Sequence, residues 1–380
     1  MKGNEFIGFQ PENIRWSIDG KVIVFDWNPT NEPGNSTYIY SLELKTYHKA
    51  TKDELIKLLE ADETQRDFQI NYFSIEGNLI EYNRKLKTDK LLFQSNSPIF
   101  NIQRIANSEN AYFQQDDNLF IYDRVTGGIR QITNFSMDED REIKKDSNFL
   151  TTQQEELFQY IKDKEVRKNW REKQEYTRYA FPSKQHLEKG ELSNIQISAD
   201  GKFVTFRITF LPKEKETHVE NHISKDGETY ISKARSKVSD LDPVNKLGIF
   251  NIEKDSIYYV DFSTLSNIRN KASYHFEYKD TIKTYSKDRN CIPHRVHFSK
   301  NGFYSVVDIR SYDNKDRWIS LINLTNGQLI EIEKQHDEAW IGGPGISEWN
   351  EEEGVLNFLT DDETIYFQSE VTGYSHLYTL

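Results

Sequence analysis

The 380-residue sequence predicts an all-β chain folded as a β-propeller, interrupted by one helical insertion. Three observations predict it. Aromatic residues make up 13% of the chain, with 21 Tyr and 23 Phe, and such side chains suit half-buried pleated surfaces. Short apolar runs alternate with turns built on Asp-Gly, Asn-Gly or Gly-Gly, which supply the positive φ of tight hairpins. These units recur about every 40 residues, the period of a four-stranded propeller blade.

The first unit opens at Ile14-Arg15-Trp16-Ser17-Ile18-Asp19-Gly20 and runs through Val22–Phe25 to Thr37–Leu42. A compact unit spans Asn101–Thr133, with a hairpin at Asp116-Asp117-Asn118 and a turn at Thr126-Gly127-Gly128. A third opens at Ile195–Phe206 around Asp200-Gly201, and a fourth at His297–Val306 around Asn301-Gly302, continuing to Thr325-Asn326-Gly327. Degenerate copies are expected at Phe68–Phe93 and Lys246–Leu265, for about six blades in all. One blade cannot bury both its faces alone, so blades must stack around an axis.

Residues 146–189 break the alternation. Leu150, Leu157, Phe158 and Ile161 fall at helical spacing, and Thr151 or Thr152 can cap the start. A second insertion, Leu211–Asp242, is polar and is expected to be rich in loops. A short amphipathic helix is expected at Asp53–Glu60.

The net charge of −12 argues against nucleic acid, because phosphate binding needs a basic face. The lone Cys291 permits no internal disulfide. No apolar run reaches the roughly 18 residues of a membrane helix, and Met1–Gln10 lacks a signal-peptide core.

The most specific text lies near the end. Tyr366-Phe367-Gln368-Ser369-Glu370 followed by Gly373-Tyr374-Ser375-His376-Leu377-Tyr378 resembles a propeller blade of the prolyl oligopeptidase superfamily, dipeptidyl peptidase IV branch. Phe149–Phe158 resembles that family's inter-blade helix, and Ala234–Val238 resembles a link before a blade strand. The resemblance implies a parent with seven or eight blades, about six of them here, over a C-terminal α/β-hydrolase domain that residues 1–380 lack. It implies peptide substrates, no cofactor, a bacterial periplasmic or cell-surface location, and allows a homodimer of the parent. Dipeptidyl, tripeptidyl, acylaminoacyl and oligopeptidase specificities all stay open. The rival reading is a free-standing propeller that binds proteins or ligands. An open ring would also expose blade edges and favour self-association.

Catalytic and metal motifs are weak. A nucleophile elbow needs Gly-x-Ser-x-Gly, whereas Ser375 and Ser347 are followed by His376-Leu377 and Glu348-Trp349. Ser375 and His376 are expected to satisfy local polar groups at a blade turn, and the charge on Glu370 to hold a turn through backbone bonds. His218 and His222 have helical spacing, but Val219 stands where a zinc peptidase needs Glu. His294 and His297 are expected to be ordinary strand and turn residues, so no metal site is assigned. In the resembled branch two adjacent glutamates on a propeller helix hold the substrate's free amine. Its Trp- and Tyr-led motif is not present here as such. Glu155 and Glu156, on the expected helix, are the candidate equivalents, while Glu351–Glu353 after Trp349 imitate the pattern less well.

Overall fold

The computed structural model describes residues 8–17, 21–51, 54, 69–75, 77–86, 88–105, 108–137, 163–164, 166–167, 170, 181–212, 217–234, 242–277, 281–346 and 351–380. Among them the fold is a six-bladed β-propeller arrangement of antiparallel sheets with three or four strands each. Blade one contains β1 (Glu12–Trp16), β2 (Val22–Trp27), β3 (Ser36–Ser41) and β4 (Thr46–Lys49). Blade two has β5 (Ile70–Ile75), β6 (Asn78–Asn83) and β7 (Thr88–Phe93). Blade three has β8 (Ile99–Arg104), β9 (Ala111–Gln115), β10 (Asn118–Tyr122) and β11 (Ile129–Gln131). Two short strands follow, β12 (Phe135–Ser136) and β13 (Gln185–His186), paired in parallel. β13 lies inside the range 146–189 expected as a helical insertion, so the end of that range is a strand that pairs with Phe135–Ser136. Residues 163–164, 166–167 and 170 are helical; Glu155 and Glu156 lie outside the described residues.

Blade four is formed by β14 (Glu191–Ile197), β15 (Phe203–Phe210), β18 (Val244–Asn251) and β19 (Ser256–Tyr259). Lys246–Leu265 is thus not a degenerate blade of its own. It supplies the two outer strands of the blade that Ile195 opens. The second insertion separates those halves. It is not merely loop: it contains a hairpin of β16 (Thr217–Asn221) and β17 (Tyr230–Ala234). Alternation there is masked by polar residues on both faces, as expected of a hairpin that no second sheet covers. Blade five has β20 (Cys291–Phe298), β21 (Ser305–Ser311), β22 (Asp316–Ile322) and β23 (Leu329–His336), and blade six has β24 (Leu356–Phe358), β25 (Ile365–Ser369) and β26 (His376–Thr379).

The turns recur because the same chemistry recurs. Between the last two strands of a four-stranded blade, a Ser, Asp or Asn side chain accepts a backbone N–H two or three residues on. Ser41 accepts from Leu44, Asp123 from Thr126, Asn251 from Lys254 and Asn323 from Thr325. The chain then turns at a residue of positive φ: Lys45, Gly127, Asp255 or Gly327. Between the first two strands, the hydroxyls of Ser17, Ser198 and Ser299 each accept the N–H five residues later, at 2.9–3.0 Å. Gly201 and Gly302 in those turns have φ of 72° and 77°, which an L side chain would resist. Asp19-Gly20 lies outside the described residues.

Alternation sends successive residues to opposite neighbours. Tyr112 packs with Val204 and Phe206 of blade four, whereas adjacent Phe113 packs with Tyr72 and Leu79 of blade two. Val307 and Trp318 meet Leu247 and Ile249 of blade four, whereas Val306 and Ile319 meet Leu356 and Phe367 of blade six. Each such buried side chain contributes roughly 1.5–3 kcal/mol of burial. The cores are therefore shared between blades.

Candidate functional site

The site follows from the first strands of the blades. β8, β14 and β20 each carry a register shift: at Phe100/Gln103, Ser193/Gln196 and Pro293/Val296. Such bulges bend a strand and re-aim its side chains. In β1, β8 and β14 an asparagine holds the bend in the left-handed region, Asn13 at φ 52°, Asn101 at 51° and Asn194 at 53°. Asparagine tolerates that conformation better than most residues. Amide side chains then tie neighbouring blades together. Asn101 donates to the Ile195 carbonyl at 2.6 Å, and Gln196 donates to the Val296 carbonyl at 2.5 Å. These three strands, linked in series by those hydrogen bonds, supply one wall of a cavity.

A cavity of about 620 Å³ opens against that wall. Phe100 and Asn101 line it from blade three, Leu192 to Gln196 from blade four, and His294 and Arg295 from blade five. Glu351, Glu352 and Glu353, on the loop leading into blade six, also line it.

The glutamate loop is pinned from several directions. Glu351 pairs with Arg207 of β15 at 3.1 Å, and the same arginine donates to Ser193 Oγ at 3.0 Å. Glu353 pairs with Arg295 at 2.8 Å and with His297 at 3.3 Å. Burial raises the Glu353 carboxyl, but His297 and Arg295 outweigh it and hold the pKa below the ordinary value. Beneath the loop lies an ionic core in blade five. Asp308 and Arg317 are wholly buried, with Arg317 Nη2 2.8 Å from Asp308 Oδ2. Gly354 rests on this pair. A Cβ there would come within 2.8 Å of Arg317 Nη2, and its N–H points to Asp308 Oδ2 at 3.4 Å. A glycine at 354 lets the backbone approach the buried guanidinium and so sets the three glutamates at the cavity.

His294 is 2% exposed, and its Nε2 has no hydrogen-bond partner among the described residues. Burial pushes its pKa down to about 4, and nearby Asp308 only partly opposes this. The imidazole is therefore neutral at pH 7. Among the described residues, no group of His, Cys, Asp and Glu is placed to hold a metal ion. The arrangement can hold a small polar ligand between an acidic loop and a basic strand.

No family model matches the chain, and no curated protein matches it. Solved structures similar to it include the following two. A protein assigned as dipeptidyl aminopeptidase IV from Bacteroides ovatus matches over 98% of this chain and 43% of its own, at 14% identity and a TM-score of 0.45. Porphyromonas gingivalis dipeptidyl peptidase 4 matches over 99% of this chain and 46% of its own, at 13% identity and a TM-score of 0.49. The chain spans less than half the length of either structure.

The structure redistributes the sequence candidates. Glu351–Glu353, the weaker imitation, reach the cavity. His294 and His297 are strand residues as expected, yet one lines the cavity and the other positions Glu353. His218 sits in β16, an extended strand, so its spacing to His222 does not place the two on one helix face. Ser375 Oγ donates to the Pro344 carbonyl at 2.6 Å, a partner 31 residues away rather than a local group of its own turn. At Glu370 the main chain holds the turn, its carbonyl accepting from Gly373 at 2.8 Å, while its side chain lies against Gly343. Asn101, Asn194 and Arg295 were not singled out by sequence. The repeated Asn13-Ile14-Arg15, Asn101-Ile102-Gln103 and Asn194-Ile195-Gln196 triplets are the signal that points to the first two.

Proposed function

We propose that this chain is the substrate-admitting propeller of a serine exopeptidase that cleaves short peptides. The Ser-His-Asp triad would be carried on an α/β-hydrolase domain outside residues 1–380. The observation that supports this reading is the inner cavity. Its volume of about 620 Å³ suits a short peptide, and its lining offers hydrogen-bonding and charged groups to a peptide end. The resemblance of Tyr366–Tyr378 to the dipeptidyl peptidase IV branch points the same way. The propeller then selects by size and by chain end, and acyl transfer belongs to the triad. On this reading residues 1–380 form one propeller domain whose partner is the hydrolase domain, and the protein works in the bacterial periplasm or at the cell surface.

The test compares the complete product of the gene with the 380-residue chain. Both are treated with a fluorophosphonate probe and with dipeptidyl p-nitroanilides. The expected result is labelling and turnover by the complete product and neither by the chain alone. Labelling of the 380-residue chain, or a complete product that never labels, overturns the reading.

A further inference from the structure

We infer that His336 is a proton-operated latch that fastens the connector between blades four and five, residues 269–285, to the body of blade five. The roots of the connector are fixed independently of it. Ile268 is buried in the core that blades four and five share, and Arg289 Nε donates to its carbonyl at 2.9 Å. Asn270 bridges to Thr284, and the Tyr285 N–H donates to the Arg269 carbonyl at 2.7 Å. Beyond these roots the connector runs through Ser273 into a helical turn, Tyr274–Glu277. Glu338, on the turn that follows β23, reaches across and accepts the Ser273 N–H at 2.8 Å. His275 in the helical turn has its Nε2 2.9 Å from Tyr285 Oη. Tyr285 in turn lines a cavity of about 350 Å³ with Arg289 and Asp313.

His336 stands between two carboxylates. Its Nδ1 is 2.8 Å from Asp316 on β22, and its Nε2 is 3.2 Å from Glu338. An imidazolium donates from both nitrogens, whereas a neutral imidazole has one N–H and one lone pair. Only the charged ring can bond both carboxylates. Burial raises the Asp316 carboxyl, but Arg289, His336 and Lys334 outweigh it. Bonds from Ser273 and His336 hold Glu338 down to about 2. Both acids therefore stay ionised while the ring titrates. When the proton leaves, Asp316 keeps Arg289, and Lys334 at 3.2 Å. The other charges nearby are engaged elsewhere. Lys315 Nζ donates to the Ala339 carbonyl at 2.7 Å, Asp337 accepts the Ala339 and Trp340 N–H groups, and Asp313 pairs with Arg289 at 3.1 Å. The loss thus falls on the longer contact, to Glu338. A lone pair then faces that carboxylate, and the acceptor that holds the Ser273 turn swings free.

Burial lowers the His336 pKa, but the two carboxylates outweigh it and raise the value. The latch is closed below the ordinary histidine pKa of about 6.5 and opens as pH rises through the higher folded one.

The experiment is hydrogen exchange of the 380-residue chain, read by mass spectrometry on the peptide containing Ser273 and corrected for the intrinsic rate at each pH. Protection there is expected to fall about tenfold between roughly pH 5.5 and 8.5, while protection in β21 holds. Glu338→Ala should leave the Ser273 peptide poorly protected at both values. His336→Gln should remove the pH dependence, and His275→Gln should retain it, which separates the two histidines on this connector. His336 is exposed, and melting curves check that each variant folds; the wild-type profile tests the latch even where one does not. A flat wild-type profile overturns the inference. So does a pH dependence that survives His336→Gln or vanishes in His275→Gln, or full protection in Glu338→Ala.

Discussion

Asp308 shows how single residues carry this fold. It is wholly buried, and burial raises its pKa, yet Arg317 and the neighbouring His294 and Arg310 bring it down to about 2. Asp308→Asn removes the negative charge and leaves buried guanidinium groups uncompensated. The expected loss is about 3–5 kcal/mol, read from denaturant melts. Its stabilising contribution is present above the ordinary aspartate pKa and is lost as pH falls through about 2. His336 has the opposite sign. Burial lowers its pKa, but hydrogen bonds to Asp316 at 2.8 Å and Glu338 at 3.2 Å outweigh it and raise the value. Lys334 and Arg289 also reach Asp316, so the imidazole competes with two fixed cations. The contribution of His336 is complete below the unfolded histidine pKa of about 6.5 and fades as pH rises through the higher folded value. A melting-temperature profile across that window should slope downward in the wild type, and His336→Asn should flatten it.

At the scale of strands and turns, much of the architecture is readable directly. Asp200-Gly201 and Asn301-Gly302 announce hairpins because only a few residues accept the left-handed turn, and the structure places a positive-φ glycine in each. Blade four is harder to read because its halves are separated by residues 211–243. Local alternation cannot reveal that Phe206 pairs with Gly248. That pairing has a packing reason. The Phe206 ring lies over Gly248, where a Cβ would fall 2.3 Å from its Cζ. Gly248→Ala should therefore destabilise by about 1–3 kcal/mol through overpacking, and Phe206→Leu in the same chain should recover part of the loss. The cavity was less legible than the blades. Glu351–Glu353 read as a charged turn because their partners, Arg207 and Arg295, lie on strands of two other blades. No spacing rule links positions so far apart. His294 gave no local signal, since its role depends on a bulge and on the ionic core beneath it.

Blades two to six hold their cores jointly, so damage to one face should spread to its neighbours. Trp318, buried in the core that blades four and five share, is a suitable probe. Trp318→Ala should cost about 3–5 kcal/mol, with earlier hydrogen exchange in both β18 and β22. Blade one differs: every residue of β1 is exposed, including Ile14 and Trp16. Exposed strand surface of that kind favours association, so light scattering should show a concentration-dependent rise that Trp16→Lys reduces. The parallel pair β12–β13 has a different consequence. Adjacent strands lie about 4.8 Å apart, so the long excursion begins and ends almost at a single point on the body. Closure entropy grows only slowly with loop length, so segments of very different size can be grafted at this junction with little penalty to the blades. Lengthening or shortening the chain between Ser136 and Gln185 should therefore leave the melting temperature of the blades nearly unchanged.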